Sequence, residues 1–70
     1  MIMEILAKRL LELRKNRKLS RQTVADAIKI SSRSYQRYEN AEREPTASVL
    51  IALADFYGVT LDELVGRNQK

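Results

Sequence analysis

The sequence contains neither cysteine nor histidine. That removes disulfides, thiolate and imidazole metal ligands and most nucleophile–base pairs, so a chain this short must be held together by packing alone. The carboxylates Glu12, Asp26, Glu39, Asp62 and Glu63 are scattered over helix surfaces and caps. Nothing supplies a base, a nucleophile or a metal cage, so neither an enzyme nor a cofactor is expected. Long apolar runs are missing as well. None approaches the ~18 residues of a membrane span, and residues 1–13 carry charge too early and too evenly for a signal peptide. The expectation is a soluble cytoplasmic protein with no membrane partner and no pocket for a small-molecule effector. Strand-like alternation, internal repeats, low-complexity tracts and dividing linkers are also absent. The 70 residues are expected to form one domain, near the lower limit for folding on a single core.

What is present is positive charge, unevenly spread. The chain holds 13 Lys and Arg against 9 Asp and Glu, for a net charge of +4. Residues 8–43 contain eleven of the cations and four of the anions, a net +7, whereas residues 44–70 net −2. A basic half of this kind is an electrostatic footprint for a polyanion, although a merely solvated surface would carry the same charge.

Residues 19–39, LSRQTVADAIKISSRSYQRYE, lie inside the basic half and read as two short helices joined by a tight turn. Ser20 and Ser31 each precede a helix as N-caps, where a hydroxyl oxygen accepts a bond from an otherwise orphan N–H. The first helix, 21–28, buries Val24, Ala25 and Ile28, with Ala25 small enough to let two helices cross closely. The turn falls at Lys29 and Ile30, the latter an apolar plug. The second helix, 32–39, sets Tyr35 and Tyr38 on one side and Arg33, Gln36 and Arg37 on the other. Two tyrosines at this spacing suit a core, while stacking on unpaired RNA bases is the alternative use.

The flanking elements follow from the same signals. Residues 3–17 place Leu6, Leu10 and Leu13 on one helical stripe, with Ile5 and Leu11 off it. Pro45 ends the polar loop 40–45, and Thr46 caps a helix over 47–57 that Gly58 closes. Thr60 and Glu63 form a capping box for a last short helix ending at Gly66, beyond which residues 67–70 should fray. Four caps thus divide the chain into five helices, and the expected architecture is a compact all-α bundle.

The segments LRKNRKLSRQTVADAI, ISSRSYQRYENAEREP and LIALADFYGVTLDELVG together resemble the helix-turn-helix proteins of the XRE family, to which the phage Cro and cI repressors belong. The likeness covers residues 6–66. It implies a lambda-repressor-like bundle with the helix-turn-helix at about 20–39, and a transcriptional regulator, most often a repressor, that binds double-stranded DNA as a homodimer. By position it makes Ser32, Arg33, Gln36 and Arg37 the base-reading set, and Arg21, Lys29, Ser31, Asn40 and Arg43 contacts to the DNA backbone. Arg14 and Glu39 would form a structural brace, and Phe56, Leu61 and Val65 a dimer interface. A protein-interaction module of the same fold, an antitoxin or antirepressor, is the alternative implied. The chain departs from the family pattern where glycines are usual, with Lys18, Lys29 and Ala41 in their places. A non-glycine residue in left-handed geometry costs roughly 1 kcal/mol.

Overall fold

The computed structural model describes residues 2–66. Among them are five α-helices and no strand: α1 Ile2–Asn16, α2 Arg21–Ala27, α3 Ser32–Glu39, α4 Ala47–Tyr57 and α5 Leu61–Val65. The expected tail at 67–70 lies outside the described residues. Helices α3, α4 and α5 begin and end where the caps place them. Helix α1 starts and stops one residue early, and α2 stops at Ala27 with Ile28 as its C-cap.

All four anticipated N-caps are made. Ser20, Ser31, Thr46 and Thr60 each accept a bond from the backbone N–H three residues on, and Glu63 returns a bond from the Thr60 N–H to complete the capping box. All five helices end at a left-handed residue, Gly66 (φ 78°) after α5, and the other four close their turns in one way. After α1, α2, α3 and α4 the chain turns through a left-handed residue, and paired backbone bonds close the turn. Beyond α2, Lys29 N–H bonds to the Asp26 carbonyl at 3.2 Å and Ile30 N–H to the Ala25 carbonyl at 3.0 Å. The left-handed residues are Lys18 (φ 56°), Lys29 (φ 63°), Ala41 (φ 58°) and Gly58 (φ 69°), so the three places where glycine was missed do adopt the strained geometry. The residue following three of them is Leu19, Ile30 or Val59, each packed on the core. That apolar plug anchors the turn and offsets the strain.

The core draws on every helix. Leu6 and Leu10 of α1, Val24 and Ala25 of α2, Tyr35 and Tyr38 of α3, Leu53, Ala54 and Tyr57 of α4 and Leu64 of α5 are all buried. Helix α3 packs on α2 and α1, and α5 packs on both α1 and α4. The close approach of α2 and α3 is helped by Ala25, fully buried, whose side chain is only a methyl group. Ile5 is 40% exposed, yet it lies so close to Gly66 that a Cβ there would collide with its branched side chain.

Candidate nucleic-acid interface

Helix α3 has two chemically distinct sides. Tyr35, Tyr38 and Glu39 are buried, while Arg33, Gln36 and Asn40 are exposed and Arg37 is half-buried among them. Positions 33, 36, 37 and 40 follow the i, i+3, i+4, i+7 spacing of a single helical face. Ser32 is half-buried at its border. The structure therefore brings three of the four expected base-reading side chains onto one outward face, with Ser32 at its edge. The expected backbone contacts surround this face. Lys29 and Ser31 precede α3, Arg43 follows it, and all three are exposed.

The Ser31 hydroxyl is committed to the cap. Its oxygen accepts from the Ser34 N–H at 3.0 Å and its proton goes to the Ser34 Oγ at 3.0 Å. Neither Arg33 nor Arg37 makes a side-chain bond among the described residues, so both guanidinium groups keep their full donor capacity.

The inner side of α3 is fixed by a polar cluster. Arg14 Nε donates to Glu39 Oε2 at 2.6 Å and its Nη2 to Oε1 at 3.2 Å, while Nη1 donates to the Leu19 carbonyl at 2.9 Å. Burial pushes the Glu39 carboxyl up, but hydrogen bonds from Arg14, Tyr35 and Arg21, with the charge of Arg14, outweigh it and hold the group below its usual range. Bonding to Glu39 raises Arg14 in turn, against the opposing effect of burial. The expected brace between α1 and α3 is thus present. Beside it, the Tyr35 and Tyr57 hydroxyls lie 3.0 Å apart in the interior and link α3 to α4. Desolvation pushes both phenols above their ordinary value, Tyr35 well above it.

Two arginines do more than their sequence positions suggested. Arg17 reaches the end of α4, where its Nη2 donates to the Tyr57 carbonyl at 2.6 Å and its guanidinium sits 5.4 Å from the Tyr57 ring centre. Arg21 donates its Nε to Glu39 Oε1 at 3.2 Å. Neither tie could be read from helical periodicity, because each depends on how close two remote elements come. With Arg14 and Arg17 committed to structure, Arg21, Lys29, Arg33, Arg37 and Arg43 remain on α3 and its flanks, and Lys8, Arg9, Lys15 and Lys18 on α1 and its end.

The residues expected at a dimer interface are not alike. Leu61 is 43% exposed, whereas Phe56 and Val65 are half-buried. Phe56 also packs edge-on against Tyr57, with ring centres 5.0 Å apart. Ile51, which the sequence reading passed over, is half exposed on α4. Among the described residues no group of His, Cys, Asp or Glu is arranged to hold a metal, and no helix is long and apolar enough to cross a membrane.

Residues 10–64 match the family described as helix-turn-helix. Over 62 residues, 89% of this chain and 53% of the relative, the sequence is 42% identical to the HTH-type transcriptional regulator AnsR of Bacillus subtilis. Over 44 residues, 63% of this chain and 39% of the relative, it is 46% identical to the cryptic phage CTXphi transcriptional repressor RstR of Vibrio cholerae. The crystal structure of a transcriptional regulator from Listeria innocua shares the fold, with a TM-score of 0.85 at 31% identity over 93% of this chain and 61% of that one. The chain spans about half the length, or less, of the curated relatives it matches.

Proposed function

The chain belongs to the helix-turn-helix family, and from that premise we propose that it is a sequence-specific, double-stranded-DNA-binding transcriptional regulator that acts as a repressor. The observation that carries this reading is the sidedness of α3, whose inner side is locked into the core while Arg33, Gln36 and Arg37 face outward. A helix so presented fits the major groove. There an arginine fork matches the O6 and N7 acceptors of guanine, and a glutamine amide matches N6 and N7 of adenine. Arg33, Gln36 and Arg37 share this surface, with Ser32 at its border. Arg21, Lys29, Asn40 and Arg43 contact phosphates, and at Ser31 the contact falls to the backbone, since the hydroxyl is used in the cap.

Repression works by occupancy, the bound protein excluding polymerase from the operator. One short helix reads too few bases for a unique site, so the chain binds as a homodimer to near-palindromic half-sites about one helical turn apart. Exposed Leu61 belongs to that interface, with Phe56 and Val65 behind it. Residues 2–66 serve as one DNA-binding domain, and such a protein acts in the cytoplasm, where its DNA is.

Selection of binding sites from a random duplex pool tests the reading. The recovered motif should hold two related half-sites, and log K should fall steeply with log salt as counterions are released. Arg33→Ala or Arg37→Ala should cost about 1–3 kcal/mol and relax preference at one base position, whereas Arg21→Ala should weaken all sequences alike. A pool that yields no motif, or identical behaviour of the three variants, would count against it.

A further inference from the structure

Among the described residues Glu39 is the buried charged side chain, and two arginines converge on it. They do so in different ways. Arg14 spends all three guanidinium nitrogens within the protein, on Glu39 and the Leu19 carbonyl, and its side chain is almost covered. Arg21 commits only Nε, and its side chain is 46% exposed. Its terminal nitrogens therefore form a planar fork on the solvent side of the carboxylate. One carboxylate balances one arginine, so the cluster as a whole is positive and the surplus charge is displayed on the exposed fork.

We propose that Glu39 is a positioning residue for DNA binding: by holding Arg21 through Nε, it aims the free edge of that guanidinium at a backbone phosphate. This rests on the DNA-binding reading above. The physical advantage is pre-organisation. A free arginine must give up rotamer freedom to meet a phosphate, whereas one already held at Nε gives up less and presents its remaining donors in the geometry of a phosphate edge. The register of α3 is tied to the same point, because Glu39 is the last residue of that helix. A single carboxylate thereby couples the placement of the reading helix to the placement of a backbone anchor.

Removing Glu39 separates this role from simple electrostatics, since the two predict opposite signs. Deleting a negative charge near a polyanion should tighten binding by charge alone. Positioning predicts the reverse. The affinity of the whole chain for the duplex recovered by selection is measured across a salt series, with thermal melting recorded for every variant. Glu39→Gln, which keeps the side chain's shape, should weaken binding about tenfold. It should also lower the salt slope by about 1, which a loss of rigidity alone does not do. Arg21→Ala should match both effects in the unaltered chain and add nothing in the Glu39→Gln background. Binding by Glu39→Gln that is unchanged or tighter, or an equal cost of Arg21→Ala in both backgrounds, would overturn the proposal. If Glu39→Gln does not fold, Arg21→Lys decides, since it keeps the charge without the Nε-held fork. Loss as large as for Arg21→Ala supports positioning, and retention of full affinity overturns it. Absence of duplex binding by the unaltered chain would instead bring down the DNA-binding reading and this proposal together.

Discussion

Tyr35 and Tyr57 share one hydrogen bond between their hydroxyls, 3.0 Å long and fully inside the core. The Tyr35 hydroxyl also bonds to Glu39, whereas that of Tyr57 relies on Tyr35, so removing the Tyr35 hydroxyl strands its partner. Tyr35→Phe should destabilise the protein by about 1–3 kcal/mol, the usual penalty for a buried polar group left unmatched. The double variant Tyr35→Phe/Tyr57→Phe should lose less than the sum of the single changes. Urea denaturation of the three variants measures the coupling.

The two arginines on Glu39 should differ sharply in their effect on stability. Arg14→Ala leaves a buried carboxylate with only a half-exposed neighbour, at an expected cost of about 3–5 kcal/mol. Arg21→Ala removes the more solvated contact and should cost less than about 1 kcal/mol. Equal melting temperatures for the two variants would contradict the division into brace and anchor.

The left-handed positions predict changes of opposite sign. Ala41→Gly and Lys29→Gly should each stabilise by up to about 1 kcal/mol, because glycine adopts positive φ without steric cost. Lys29→Gly should at the same time weaken DNA binding, if that lysine was kept for phosphate attraction, and unchanged affinity would remove the functional half of the idea. Gly58→Ala should destabilise through backbone strain alone. Gly66→Ala should cost more, because its methyl group also meets Ile5.

Stability should be flat through neutral pH and fall at both extremes. Glu39 binds its proton less tightly in the folded chain than in the unfolded one, so its contribution is complete above the ordinary carboxyl value of 4.5 and is lost as pH falls through the lower folded value. Tyr35 and Tyr57 are shifted upward, so their contribution is complete below the ordinary phenol value of 10.0 and is lost progressively above it. Chemical denaturation across pH checks both limbs. Replacing both tyrosines with phenylalanine should flatten the alkaline limb and leave the acid limb in place.

Most of the fold was legible in the sequence because its helices carry their own punctuation. Ser31, Thr46 and Thr60 mark starts that the backbone honours to the residue, and the apolar spacing of Leu6 and Leu10 correctly identifies the buried side of α1. The left-handed turns at Lys18, Lys29 and Ala41 were readable only by comparison with a pattern in which glycine is usual. The partners of Arg17 and Arg21 were not readable at all. A long cationic side chain on a helix surface looks the same whether it ends in solvent or on a carbonyl across the molecule. Pro45 is a smaller example. It stops a helix, and it is also buried, while residues 42–44 before it are exposed.

The bond from Arg17 to the Tyr57 carbonyl joins residues 40 positions apart. It fastens the end of the first helix to the end of the fourth, across the whole helix-turn-helix that lies between them in sequence. Fraying of the last turn of α4 then also breaks the Arg17 bond, which ties that turn to the end of α1. In native-state hydrogen exchange the two helix ends should open as one unit, with shared protection.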